Sequence, residues 1–186
     1  MGTTMRRLLP FLLAAIAACA DVGRITVLAV SVATYVPDAA DLEQRARVEV
    51  FDIREQRVLE RTALSTSLGT IEFQPRETLV IERLVQALAD RLLAGYAGMQ
   101  TMPEILCGIR VFDVTTPSTM LYWDMNAEIE LLLRVGERER LAKGAATERT
   151  WIYPSQEHLQ RVTDRAVGVL AADIDVALAE LLLAPD

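Results

Sequence analysis

Few residues in this 186-residue chain could do covalent chemistry: two cysteines, Cys19 and Cys107, and a single histidine, His158. Any Ser-His-Asp or Cys-His scheme would have to use His158, yet it falls in the first turn of an expected helix and no nucleophile-elbow sequence accompanies it. Its expected role is at the surface or in a helix cap. A zinc site needs several His or Cys ligands, more than the chain supplies, and neither a phosphate-cradling glycine loop nor a dinucleotide fingerprint is present. Asp124, Glu128 and Glu130 share one strand face and could hold a cation or serve as an acid and a base. The basic residues expected opposite them favour a solvated, salt-bridged face. The expectation is a protein that is not an enzyme, with no metal.

Cys19 is the exception, because of what precedes it. Arg6 and Arg7 lead into an apolar run over residues 8–18 that contains Pro10 and ends in Ile16, Ala17 and Ala18. A spanning helix needs about 20 apolar residues, so this run is too short to cross a membrane; its length and flanks are those of a signal peptide removed after export. Ile16-Ala17-Ala18-Cys19 resembles the lipobox of bacterial lipoproteins. That resemblance implies a diacylglycerol on the cysteine sulfur, cleavage before Cys19, and acylation of the new amine by a chain such as palmitate. The alternative is an ordinary exported protein cleaved near Ala18. Ala20 rather than Asp follows the cysteine, which in the enterobacterial sorting pattern resembles an outer-membrane destination, on the periplasmic face. Apart from these covalent lipids no cofactor is expected.

Residues 1–18 carry two arginines and no acid. Their removal leaves 168 residues and moves the net charge from −7 to −9. A chain of that length and apolar content can bury a sizeable core, and one domain over residues 25–186 is expected, after a tether at residues 19–24. The acidic balance argues against nucleic acid, whose phosphates require clustered Lys and Arg, and against adhesion to anionic lipid by charge alone. With Cys19 a thioether no intramolecular disulfide can form. Cys107, inside Ile105-Leu106-Cys107-Gly108-Ile109, reads as a small buried hydrophobe.

The elements that would position these groups follow from hydrophobic periodicity. Residues 25–36 form a dense β-branched run expected as one buried strand, ended by Pro37-Asp38. Residues 46–53 are a second strand, residues 54–61 a charged connection, and residues 71–73 a short strand. Ile81, Leu84, Val85, Leu88, Leu92 and Leu93 make one helical face, with Pro75 in the first turn and Gly95 at the stop. A strand over residues 104–114 follows. Leu121, Trp123, Met125, Ala127, Ile129, Leu131, Leu133 and Val135 then alternate with mostly polar neighbours, the period of a long strand with one buried face.

A two-residue type II′ turn at Gly136-Glu137 would pair Val135 with Arg138. The same register sets Glu130 against Lys143, Asp124 against Arg149, Arg134 against Glu139 and Tyr122 against Trp151. On the apolar face Ala142, Gly144 and Ala146 lie opposite larger residues, leaving room for a helix; Glu148 beside Met125 does not fit that face. Tyr122 and Trp151, on the opposite face, are the candidate partner contacts. A final helix opens with Ser155 as N-cap and Glu157 in its first turn. It runs about seven turns at about 3.6 residues each, with Asp173 the polar intrusion in its apolar stripe. The fold class is α+β: a mostly antiparallel sheet with two long amphipathic helices packed on one face.

The layout resembles the YajG-type periplasmic lipoproteins, and more loosely the LptE-like and ABC-transport auxiliary lipoproteins. The residues carrying this are the lipobox cysteine, Val50-Phe51-Asp52-Ile53-Arg54, Gly69-Thr70-Ile71-Glu72-Phe73-Gln74-Pro75 ahead of a helix ending in Gly95-Tyr96, the long hairpin, and a closing helix containing Ala166-Val167-Gly168-Val169-Leu170. The resemblance implies a small α+β lipoprotein without enzymatic residues, often an accessory piece of an envelope assembly. The expected function is therefore a lipid-anchored, non-enzymatic subunit that tethers or scaffolds an envelope complex, with an envelope protein or a second copy as partner and no nucleic acid. The alternative is a lipid- or glycolipid-handling component of an envelope transport system, its apolar face with Trp123, Met125 and Ile129 opening to an acyl chain.

Overall fold

A computed structural model describes residues 25–54, 70–96 and 101–183. Arg6, Arg7, Ile16, Ala17, Ala18 and Cys19, and residues 55–61 of the charged connection, lie outside the described residues. In chain order the elements are β1 (Ile25–Ala29), a 3-10 turn (Val32–Thr34), β2 (Arg47–Asp52), β3 (Thr70–Gln74), α1 (Glu77–Ala94), β4 (Glu104–Thr115), β5 (Trp123–Val135), β6 (Arg138–Thr150) and α2 (Gln156–Leu183). The fold is α+β. A four-stranded sheet in the order β2-β4-β5-β6 carries both helices on one face, α2 across β5 and β6 and α1 beside it on β2.

Within that sheet β4, β5 and β6 are antiparallel, as their alternation implies, whereas β2 joins β4 in parallel. The connection from β2 to β4 carries β3 and α1, long enough for the crossover that a parallel pair requires. β1 and β3 form a second, two-stranded parallel sheet. Phe73 on β3 packs edge-to-face against Phe112 on β4, centroids 4.7 Å apart, and so ties the small sheet to the large one.

The hairpin has the register expected of it: Val135 lies opposite Arg138, Glu130 opposite Lys143 and Asp124 opposite Arg149. Gly136 has φ +58° and among the described residues no non-glycine residue has positive φ, the pattern of a type II′ turn rather than I′. Met125, Ala127, Ile129, Leu131 and Leu133 are all buried. Gly144 explains the small residues opposite them. A Cβ there would lie 2.2 Å from the Ala166 carbonyl oxygen and 2.6 Å from Leu170 Cβ, because the backbone of α2 rests directly on the strand.

Three expectations are corrected. The run over residues 25–36 is not one strand: β3 offers a partner only as far as Gln74, whose carbonyl takes the Val30 N–H, and the chain then turns so that Tyr35 reaches Asp164 on α2. Pro75 precedes the N-cap of α1, Arg76, and is not in the first turn. Leu121 is 74 % exposed rather than on the buried face, because the strand begins only at Trp123.

Candidate functional site

The β4–β5 connection folds back on itself. Thr119 donates its N–H to the Tyr122 carbonyl at 2.8 Å, and its Oγ1 accepts from the N–H groups of Leu121 and Tyr122 at 3.2 and 3.1 Å. This closed turn leaves Met120 and Leu121 at its apex, 103 % and 74 % exposed. Beside it runs the β6–α2 connection, where Trp151, Ile152 and Tyr153 are 70 %, 65 % and 45 % exposed. Ring contacts join the two segments: Tyr122 meets Trp151 edge-to-face at 5.5 Å, and Trp123 meets Tyr153 at 5.3 Å. The Arg149 guanidinium sits 3.8 Å above the Tyr122 ring and is held there by Asp124 through bonds of 2.7 and 3.1 Å. That hydrogen bond holds the Asp124 carboxyl below the usual range.

Tyr122 and Trp151 are thus brought together as their register implied, Tyr122 half-buried and Trp151 open. Met120, Ile152 and Tyr153 were missed. Their signal is present in the sequence, as an apolar tripeptide between Thr150 and Pro154 and an apolar pair after Pro117-Ser118-Thr119, but it does not stand out among runs that are buried.

The start of the described chain lies at the same end. Gln156, the first residue of α2, donates from its side-chain amide to the Val27 carbonyl at 2.7 Å. One turn later Gln160 accepts the Ala29 N–H at 2.9 Å and donates to the Ala29 carbonyl. β1 and α2 therefore run side by side in one direction, and Ile25 falls level with the segment leading into Gln156.

The face of the sheet opposite the helices carries a row crossing all four strands at one register: Phe51, Gly108, Leu132 and Leu141. Phe51 is 45 % and Leu141 37 % exposed, and Ile53 folds over Gly108. Beside the row Glu130 bridges Arg110 at 3.0 Å and Lys143 at 2.5 Å. Asp124 and Glu130 are therefore bound in ion pairs, whereas Glu128 is exposed. Among the described residues there is no group of three or more His, Cys, Asp or Glu placed to hold a metal ion.

Two polar misfits on the apolar faces have partners. Glu148 takes Arg161 at 2.5 Å and Arg165 at 3.2 Å from α2, and the Arg161 hydrogen bond lowers its pKa. Asp173 accepts the Lys143 backbone N–H at 2.7 Å. That amide points away from β5, so α2 blunts the outer edge of β6, a strand edge otherwise open to pairing.

His158 closes the start of α2. Its Nδ1 accepts the Ser155 N–H at 3.2 Å, while Ser155 Oγ accepts the His158 N–H at 3.3 Å, a capping box with imidazole in place of the usual carboxylate. Cys107 is fully buried, and burial pushes its thiol pKa up to about 12.

No known protein family and no curated protein matches the chain. Among solved structures, a "putative lipoprotein" from Caulobacter crescentus CB15 is 15 % identical with a TM-score of 0.33, over 55 % of this chain and 85 % of that one. The crystal structure of an uncharacterized protein is 10 % identical with a TM-score of 0.36, over 82 % of this chain and 87 % of that one. At such scores neither likeness bears on what this chain does, and the resemblance to YajG-type lipoproteins rests on the sequence patterns. No helix among the described residues is long and apolar enough to cross a membrane.

Proposed function

We propose that this protein is a bacterial lipid-anchored envelope lipoprotein, held through a diacylglycerol and an N-acyl chain on Cys19 at the periplasmic face of the outer membrane. It is not an enzyme, and it tethers or scaffolds a larger envelope complex. The observation that carries this reading is Ile16-Ala17-Ala18-Cys19 at the end of a short signal segment. The lone histidine supports the non-enzymatic part, since its Nδ1 is engaged in a helix cap.

The surface offered to a protein partner is the sheet face opposite the two described helices, where the row through Phe51, Leu132 and Leu141 gives an apolar centre and the surrounding ion pairs a polar rim. That division is the usual anatomy of an interface. Extraction of the lipidated protein in mild detergent should return it in a complex of defined stoichiometry that a Leu132→Glu, Leu141→Glu variant loses. A monomer under every condition that preserves envelope complexes would sink the scaffold reading. Acyl-chain binding on the opposite face is disfavoured because Met125 and Ile129 are already buried under α2, which would have to be displaced.

A further inference from the structure

The geometry points to a membrane-docking tip: Met120, Leu121, Trp151, Ile152 and Tyr153 enter the interfacial layer of the bilayer that holds the lipid anchor. This rests on the lipid-anchor reading above and adds which end of the domain meets the membrane. Five large apolar side chains, from 45 % to 103 % exposed, project from two adjoining connections. A contiguous exposed patch of this kind marks an interaction surface. The occupant follows from where the chain enters the fold.

Gln156 lies at Val27 and Gln160 at Ala29. Four helical residues rise about 6 Å and two strand residues about 6.6 Å, so β1 and α2 stay in step. Ile25, two residues before Val27, is therefore level with the connection that carries Trp151, Ile152 and Tyr153. Residues 19–24 separate Ile25 from the acyl chains, and at no more than about 3.5 Å per residue they reach roughly 20 Å. A lipid on Cys19 thus holds Ile25, and the connections level with it, within about 20 Å of the bilayer. Trp and Tyr suit the headgroup boundary, with an apolar body and a polar edge. Among the described residues the cations beside these connections are committed, Arg149 to Asp124 and Arg161 to Glu148. Docking is therefore by apolar burial rather than by attraction to anionic headgroups, and it should change little with ionic strength.

The test uses the mature lipidated protein in vesicles of phosphatidylethanolamine and phosphatidylglycerol. In a Trp123→Phe variant Trp151 is the sole tryptophan, and lipids brominated near the headgroup end of their chains should quench most of its emission at low and high salt alike. Met120→Cys gives a second measurement that does not burden folding, since Met120 is fully exposed and Cys107 is buried. A nitroxide placed there should be shielded from a water-soluble relaxant on vesicles and open to it in the Cys19→Ser form. A lipidated, vesicle-bound protein with unquenched Trp151 and an open label overturns the docking tip while leaving the anchor standing. A label shielded only when envelope proteins are added also overturns it, assigning the tip to a protein. A mature N-terminus whose mass shows no lipid overturns both readings.

Discussion

Asp90 sits in the buried stripe of α1, where its carboxylate accepts the N–H groups of Arg45 and Ala46 at 2.6 and 3.0 Å and the Gln86 side chain at 2.8 Å. It fixes the chain just before β2, a function that helical periodicity did not reveal. Replacing it with alanine strands those amides beneath the helix. With a buried unsatisfied group costing about 1–3 kcal/mol, Asp90→Ala should destabilise the fold by about 3 kcal/mol, read as a lower urea midpoint at unchanged slope. Cys107 calls for the opposite outcome. Its buried thiol, with a pKa pushed up to about 12, should stay unmodified by a thiol reagent near neutrality and react fully once denaturant is added. The burial of Cys107 was legible in its apolar neighbours. Glu148 and Asp173 were visible only as misfits, because their partners, Arg161 with Arg165 and the Lys143 amide, lie on another element.

Between elements the decisive contact is α2 on the hairpin. Gly144→Ala would drive a methyl group into the Ala166 carbonyl and the Leu170 backbone, neither of which can rotate away. Overpacking of this kind costs about 1–3 kcal/mol, and the thermal midpoint should fall accordingly while the circular dichroism spectrum keeps its shape. The ion pair along the same seam is pH-dependent. Because the folded pKa of Glu148 is lowered, chiefly by the Arg161 hydrogen bond, its contribution is complete above the ordinary value of 4.5 and is lost as pH falls through the folded value. Glu148→Gln should therefore melt earlier than the parent near neutrality and converge with it in acid; a gap that stayed constant with pH would contradict this account. Register and turn were readable beforehand because alternation, a glycine-first turn and three opposite-charge pairs agree on one alignment. The small residues on β6 also foretold a helix above them.

For the molecule as a whole, the proposed anchor and the fold should be separable. Cys19→Ser should move the protein from the membrane fraction to the soluble fraction with no change in its melting temperature, since Cys19 precedes the first described strand by six residues. Loss of folding in that variant would mean that residues ahead of Ile25 belong to the core. Much of the described architecture could be read from the chain alone: the long hairpin, the two amphipathic helices and the cap at Ser155. Each of these depends on residues close together in sequence, through side-chain period, turn chemistry or capping. Only the tertiary structure decided that β2 adds in parallel, that β1 pairs with β3, and that Met120 and Trp151 share one end with Ile25. Those relations join segments such as Val27 and Gln156, 129 residues apart, and they arise from how the layers close over a common core, which no local pattern encodes.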